Sequence, residues 1–147
     1  MDDEDEEVYS AEDYYEEGKH YEEMGEYKKA IEEYLKVIKL EPDHYLAWND
    51  IGVMYFNLDD EEKAIEYLRK AIEVDSSQEL AYFNLGQYFY QKEENKKAIE
   101  YLQKAENDPD AWHLMGVIYE EIVDYSKAKE CFEMRDKKNV FMYLPNI

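Results

Sequence analysis

The chain has 147 residues, with 38 acidic and 17 basic side chains and a formal net charge of −21 at pH 7. Such an excess of negative charge argues strongly against binding to a nucleic-acid backbone or to an anionic membrane surface. The single cysteine excludes an intrachain disulfide and favours a reducing compartment, and no apolar run approaches the roughly 20 residues that a membrane-spanning helix needs.

The N-terminal segment carries a run of acidic residues at positions 2–7. Because such a run cannot bury enough apolar surface to offset its ordering entropy, we expect residues 1–9 to be disordered. The segment lacks the basic and apolar regions of a secretory signal peptide, so the expected location is cytoplasmic.

One pattern of residues then recurs four times along the chain. Its reference positions are Gly18, Gly52, Gly86 and Gly116, at intervals of 34, 34 and 30 residues. An aromatic residue lies four positions before and three positions after each glycine, an alanine lies twelve positions after it, and a large apolar residue lies sixteen positions after it. A fixed period in this range predicts a stacked array of similar units.

Each repeat is expected to contain two amphipathic helices. In repeat 2, apolar residues recur at a spacing of three to four around Gly52, pause at the polar stretch 58–61, and resume at Ala64. This spacing predicts two helices of about 12–14 residues, with Asp59 or Asp60 as the N-cap of the second. The small glycine and alanine are expected to let the two antiparallel helices approach closely.

The expected organisation is a disordered segment at 1–9, an array at 10–136 and an apolar tail at 137–147. Four repeats are expected at about residues 11–44, 45–78, 79–108 and 109–136.

Repeat 3 is four residues short, about one helical turn. Either its second helix ends early, at Glu106–Asn107, and Pro109 begins the next helix, or the shorter junction changes the orientation of repeat 4.

The apolar tail is expected to fold back as a cap over repeat 4. Two alternatives are that it extends the last helix, or that it inserts into a neighbouring molecule and forms a homodimer.

The matched positions resemble the tetratricopeptide repeat. In repeat 2 they are Trp48, Ile51, Gly52, Tyr55, Ala64, Leu68 and Ala71. Repeat 1 departs from the pattern at Glu17 and repeat 4 at Arg135, and a polar Glu17 suits a terminal face that has no neighbour. The resemblance covers about residues 11–136. It implies an all-α fold, a right-handed α-solenoid of four antiparallel helix-turn-helix hairpins, and a non-catalytic scaffold or adaptor that binds a peptide or helix of another protein.

The resemblance also implies a concave groove lined by the first helix of each repeat. Projection of the helical period gives a lining rich in aromatic and amide side chains: Tyr15, Lys19, Asn49, Asp50, Val53, Phe56, Phe83, Asn84, Gln87, Tyr90, His113 and Val117. Asn49 and Asn84 are expected to hydrogen-bond a peptide backbone. The aromatics either form anchor pockets or pack between neighbouring first helices. Acidic residues at the rim predict a basic or neutral partner segment with apolar anchors.

The sequence contains no recognisable catalytic constellation. Its three histidines, His20, His44 and His113, form no metal-binding motif, and Cys131 beside Phe132 is expected to be a partly buried structural thiol. We therefore expect no enzyme activity, no cofactor and no metal. Two alternatives to the adaptor remain: a small acidic chaperone for hydrophobic clients, similar to secretion chaperones, and a structural protein that assembles through its C-terminal tail.

Overall fold

The computed structural model describes the backbone of residues 8–143 and the side chains of residues 8–140. Within this range the chain forms eight α-helices and no strand. In chain order they are α1 (Ala11–Glu23), α2 (Tyr27–Leu40), α3 (Tyr45–Asn57), α4 (Glu61–Val74), α5 (Leu80–Gln91), α6 (Asn95–Leu102), α7 (Pro109–Glu121) and α8 (Tyr125–Tyr143). The acidic run at 2–7, for which disorder is expected, lies outside the described residues.

The helices belong to two compact units. The N-terminal unit extends to Ser76 and contains α1–α4, and the C-terminal unit begins at Ser77 and contains α5–α8. Consecutive helices pair as hairpins in each unit, and α2 also packs against α3. The core between the two N-terminal hairpins has two clusters, one of Ala30, Ile31, Tyr34, Ile51 and Met54 and one of Ala11, Val37 and Ala47.

Four of the five glycines lie where a large side chain of the second helix packs against the first helix. The pairs are Gly18–Tyr34, Gly52–Leu68, Gly86–Leu102 and Gly116–Phe132. A Cβ atom on any of these glycines would lie 2.5–2.6 Å from the facing side chain, which is closer than real contacts allow. The residue sixteen positions after each glycine therefore fills the space that the glycine leaves, and this fixes the close approach of the two helices.

Each hairpin turn has the same backbone geometry. The residue seven positions after each of these glycines has a positive φ: Gly25 (74°), Asp59 (58°), Glu93 (61°) and Val123 (64°). In the first hairpin the Gly25 N–H donates to the Glu22 carbonyl (3.0 Å), and the Glu26 N–H donates to the Tyr21 carbonyl (2.9 Å). This is the Schellman pattern of helix termination. In the first three hairpins the next residue is the N-cap of the second helix. In repeat 2 this residue is Asp60, one of the two predicted N-caps, and its side chain accepts from the Lys63 N–H.

Helix α6 is short and ends earlier than expected. It has eight residues and ends at Leu102 rather than at Glu106–Asn107. The residues after it form successive turns that bury Ala105 completely. This tighter path is needed because the junction to the next hairpin has four fewer residues. Pro109 occupies the first turn of α7, as predicted, with Asp108 as its N-cap.

Helix α8 continues through most of the predicted tail. It has 19 residues and runs to Tyr143, so residues 137–143 extend the last helix. The prediction that this segment folds back as a cap is therefore wrong for residues 137–143. Extension of an existing helix avoids the cost of nucleation, and no glycine or proline interrupts the chain before Pro145. Residues 144–147 lie outside the described range.

Among the described residues, no helix is both long enough and apolar enough to cross a bilayer.

Candidate functional site

The first helices of each unit carry the predicted lining residues. We use "first-helix face" for the surface that these residues occupy on α1 and α3 in the N-terminal unit, and on α5 and α7 in the C-terminal unit. In the N-terminal unit the Tyr15 hydroxyl donates to Asp50 Oδ2 at 2.7 Å. Lys19 Nζ lies 4.0 Å from the same oxygen. Thus three predicted residues meet, and they connect α1 to α3.

Asp50 is a largely buried carboxylate, with 8% of its surface exposed. Asn49 Nδ2 donates to Asp50 Oδ1 at 3.3 Å. Burial raises the pKa of Asp50, because desolvation outweighs the hydrogen bond from Tyr15 and the positive charge of Lys19. Burial also raises the pKa of the Tyr15 hydroxyl, and the hydrogen bond that this hydroxyl donates to Asp50 raises the pKa further. Tyr15 therefore stays protonated and remains a donor to this carboxylate.

A second carboxylate, Glu22, joins this cluster at the edge of α1. Lys19 Nζ lies 3.1 Å from Glu22 Oε2, and the buried Tyr34 hydroxyl donates to the same oxygen at 3.0 Å. The pKa of Lys19 is raised, because the charges of Asp50 and Glu22 outweigh the desolvation that lowers it. One lysine thus contacts two carboxylates, so the cluster keeps an excess of negative charge.

Asn49 does not occupy the exposed place that the sequence predicts. Only 2% of its surface is exposed, and it donates to Asp50 within the helix face. This burial argues against the expectation that Asn49 binds a peptide backbone directly, because a buried amide cannot reach a ligand at the surface. Val53 and Phe56 are half-buried on the same helix.

A tyrosine–carboxylate hydrogen bond also joins the two first helices of the C-terminal unit, at other positions of the repeat and at the surface. The Tyr90 hydroxyl on α5 donates to Glu121 Oε1 on α7 at 2.6 Å, and this hydrogen bond raises the pKa of Tyr90. Tyr90 and Glu121 also line an open cleft of about 450 Å³ with Gln91, Glu93 and Asn95. Tyr90 therefore links neighbouring first helices, which is the packing role predicted as its alternative.

His113 on α7 contacts a residue that was not predicted as part of the site. Arg135 Nη1 lies 2.9 Å from His113 Nδ1, and the Arg135 guanidinium lies 5.1 Å from the centre of the Phe132 ring. Arg135 also pairs with Asp136 at 2.8 Å. In the sequence, Arg135 stands where repeat 2 has Ala71, and this departure from the repeat pattern does not by itself indicate a contact with His113.

The remaining predicted residues lie on α5 and α7. Phe83, Asn84 and Val117 are half-buried, and Gln87 is exposed. Among the described residues, no group of three or more histidine, cysteine or acidic side chains is arranged to hold a metal ion.

The repeat pattern is matched by models of a known family. A tetratricopeptide repeat model matches residues 15–79 and 62–111, and a second tetratricopeptide repeat model matches residues 109–133. The chain belongs to the tetratricopeptide repeat family. No curated protein matches it in sequence.

Solved structures of similar fold include a crystal structure of MamA, with 26% identity and a TM-score of 0.73, which covers 90% of this chain and 80% of that chain. MamA from Desulfovibrio magneticus RS-1 (residue 41 to the end) has 23% identity and a TM-score of 0.69, covering 92% of this chain and 78% of that chain. Pseudomonas aeruginosa pilF has 23% identity and a TM-score of 0.75, covering 88% of this chain and 61% of that chain.

These likenesses give the fold class as an all-α solenoid of helical hairpins, as predicted. Tetratricopeptide repeat proteins are typically non-catalytic scaffolds that bind other proteins. Family membership thus supports a protein-interaction scaffold with a protein as its partner.

Proposed function

We propose that this tetratricopeptide repeat protein is an adaptor that binds a peptide or helix of another protein on its first-helix faces. Half-buried apolar side chains beside acidic groups support this proposal. In the N-terminal unit Val53 and Phe56 share α3 with Asp50, and in the C-terminal unit Val117 shares α7 with Glu121. Apolar side chains of this kind provide anchors, while the carboxylates select the charge of the partner.

The proposed partner segment is basic or neutral and carries a few apolar side chains. The net charge of −21 attracts such a segment over a distance, and the excess of carboxylates around Lys19 favours a cation at the surface. Asn84 and the exposed Gln87 on α5 supply amide groups for polar contacts with a peptide backbone. A reducing, cytoplasmic setting belongs to the same proposal and is supported by the lone, buried Cys131.

Selection of short random peptides on the immobilised protein at low ionic strength tests this function. We expect enrichment of peptides that combine lysine or arginine with apolar residues. Asp50→Asn should weaken the selected peptides roughly threefold to tenfold, since it removes one negative charge from the binding face.

Glu66→Gln is the matched control, because it removes one charge from an exposed position on α4. It should leave the affinity nearly unchanged. Enrichment of acidic peptides, or equal weakening by the two substitutions, would contradict the proposed function.

A further inference from the structure

Repeats 2 and 3 each carry a tyrosine at the same position of the second helix. In repeat 2 the Tyr67 ring lies 5.7 Å from the Trp48 ring and 5.5 Å from the Tyr55 ring. In repeat 3 the Tyr101 ring stacks on Phe89 at 5.6 Å. In both hairpins a tyrosine from the second helix thus fills the space beside the aromatic residues of the first helix.

Repeat 4 has Cys131 at this position, with Trp112 and Tyr119 in place of Trp48 and Tyr55. A thiol is much smaller than a phenol ring, and the structure has an open cleft of about 390 Å³ at this place. The cleft is lined by Gln103, Trp112, Met115, Tyr119, Lys127, Glu130, Cys131 and Met134. Cys131 is only 5% exposed, so it lies at the inner end of the cleft. The aromatic walls are therefore kept while the tyrosine that packs beside them in repeats 2 and 3 is missing.

We propose that this cleft binds a tyrosine side chain projected by a partner polypeptide. The arrangement of Tyr67 in repeat 2 shows which group fits between such walls. Aromatic pairs prefer a separation of about 4.5–7 Å between their ring centroids. The Tyr67 ring lies within this range of both the Trp48 ring and the Tyr55 ring. Exposed polar side chains of Gln103, Lys127 and Glu130 lie beside the apolar walls and offer partners for the phenol hydroxyl.

The tyrosine cleft is separate from the first-helix face. Trp112, Met115 and Tyr119 recur at a spacing of three to four residues, which places them on one side of α7. His113 and Val117 lie on a different side of the same helix by the same spacing. A partner tyrosine in the cleft thus leaves the first-helix face free, and the two sites can be tested independently.

Nuclear magnetic resonance of the full chain with N-acetyl-L-tyrosinamide as the probe tests this site. We expect shifts at the Trp112 indole N–H and at backbone amides near Cys131, with a dissociation constant of about 1 mM for so small a ligand. N-acetyl-L-leucinamide should bind several-fold more weakly. Cys131→Ala keeps the cleft open and should retain binding, whereas Cys131→Tyr should fold and abolish it, because its own ring fills the cleft as Tyr67 does.

Cys131→Leu is a second, smaller filling variant in case the tyrosine variant does not fold, and it should also abolish binding. Equal affinity for the two probes, or unchanged binding in a folded filling variant, would overturn the proposal. Shifts of the Trp112 signals on dilution of the protein alone would assign the cleft to a second copy of this chain, and would overturn the assignment to a partner. A variant that no longer binds peptide on its first-helix face should still bind N-acetyl-L-tyrosinamide in the cleft. Failure of the proposed function would therefore leave the cleft proposal standing, and the reverse also holds.

Discussion

Val123 lies in the left-handed region of backbone conformation, with φ of 64°, at the turn between α7 and α8. The corresponding residue in the first hairpin is Gly25, with φ of 74°. A β-branched residue in this conformation is strained, whereas glycine adopts it without steric cost. Val123 is also 66% exposed, so its side chain gains little from burial.

Val123→Gly is therefore expected to raise the free energy of unfolding by about 1 kcal/mol, because it relieves backbone strain and loses little apolar burial. Urea unfolding followed by circular dichroism measures this change. Gly25→Val is the reverse control and should lower the stability by a similar amount, since a Cβ at Gly25 has no heavy atom within 4 Å and only the backbone is strained. A neutral or destabilising Val123→Gly would show that the turn does not carry this strain.

Asp50 gives the fold a specific dependence on pH. Burial raises its pKa above the ordinary value of 3.8, so the folded protein binds a proton more tightly there than the unfolded chain does. As the pH rises from 3.8 through the folded-state pKa, the contribution of Asp50 to stability therefore falls.

We therefore expect the free energy of unfolding of Asp50→Asn, minus that of the wild type, to increase over this pH range. The altered hydrogen bonds shift this difference by an amount that does not depend on pH, so they do not change its slope. Thermal or urea unfolding at several pH values measures the difference. A constant difference for Asp50→Asn would mean that Asp50 titrates alike in the folded and unfolded states.

At the scale of the elements, each hairpin depends on a glycine and the side chain that packs against it. A Cβ at Gly52 would lie 2.6 Å from Leu68 Cγ and 3.1 Å from the Ala64 carbonyl oxygen. Gly52→Ala is expected to destabilise the protein by about 1–3 kcal/mol through overpacking. Leu68→Ala is expected to cost about 2–5 kcal/mol because it leaves a cavity.

The double substitution should cost less than the sum of the two single ones, since the new methyl group partly fills the cavity left by Leu68. Urea unfolding of the three variants completes this cycle. Strict additivity would mean that the two positions do not share the same space.

Lysines also recur at fixed places over the aromatic residues of the first helices. Lys29, Lys63, Lys97 and Lys127 lie 5.2–5.7 Å above the rings of Tyr21, Tyr55, Phe89 and Tyr119. Cation–π contacts at exposed sites contribute about 0.5–1 kcal/mol each. Part of the small basic complement of this chain therefore stabilises the hairpins.

Most helix positions could be predicted from the sequence, because the spacing from the glycine to the alanine and to the large apolar residue is the same in all four repeats. The end of α6 could not be predicted well, since it depends on how the turns after Leu102 bury Ala105. The predicted end of α8 was also wrong, because the sequence after residue 136 has no signal that distinguishes a longer last helix from a segment that folds back on it.

The candidate site was predicted only in part. The helical period placed Tyr15, Lys19 and Asp50 on one surface, and the structure brings these three together. It could not show that Asn49 is buried, since that depends on the packing around the helix rather than on spacing. The role of Arg135 was missed because its contacts with His113 and Phe132 join residues that are distant in sequence.

At the scale of the whole molecule, the two terminal hairpins have polar residues where the inner hairpins are apolar. In repeat 1, Asp13, Glu17 and His20 replace the buried residues at the corresponding positions of repeat 2, namely Ala47, Ile51 and Met54. In repeat 4, Lys129, Arg135 and Asp136 replace residues equivalent to Ile65, Ala71 and Ile72 of repeat 2. Burial of these charges against another copy would cost desolvation energy, so head-to-tail stacking is disfavoured.

We therefore expect a monomer of 17.8 kDa over a wide range of protein concentration. Light scattering coupled to size-exclusion chromatography measures the mass, and a chain truncated after Asn139 should give an equally monomeric species. A full-length dimer that dissociates on this truncation would favour the alternative in which the C-terminal tail mediates assembly.

Mapping of a selected basic peptide onto the protein by nuclear magnetic resonance tests the central claim most directly. We predict that the largest shifts fall on the first-helix faces, at Val53, Phe56, Phe83 and Val117, and that they weaken as the salt concentration rises. Shifts confined to α2, α4, α6 and α8, or binding that does not respond to salt, would contradict the claim that these acidic faces bind the partner.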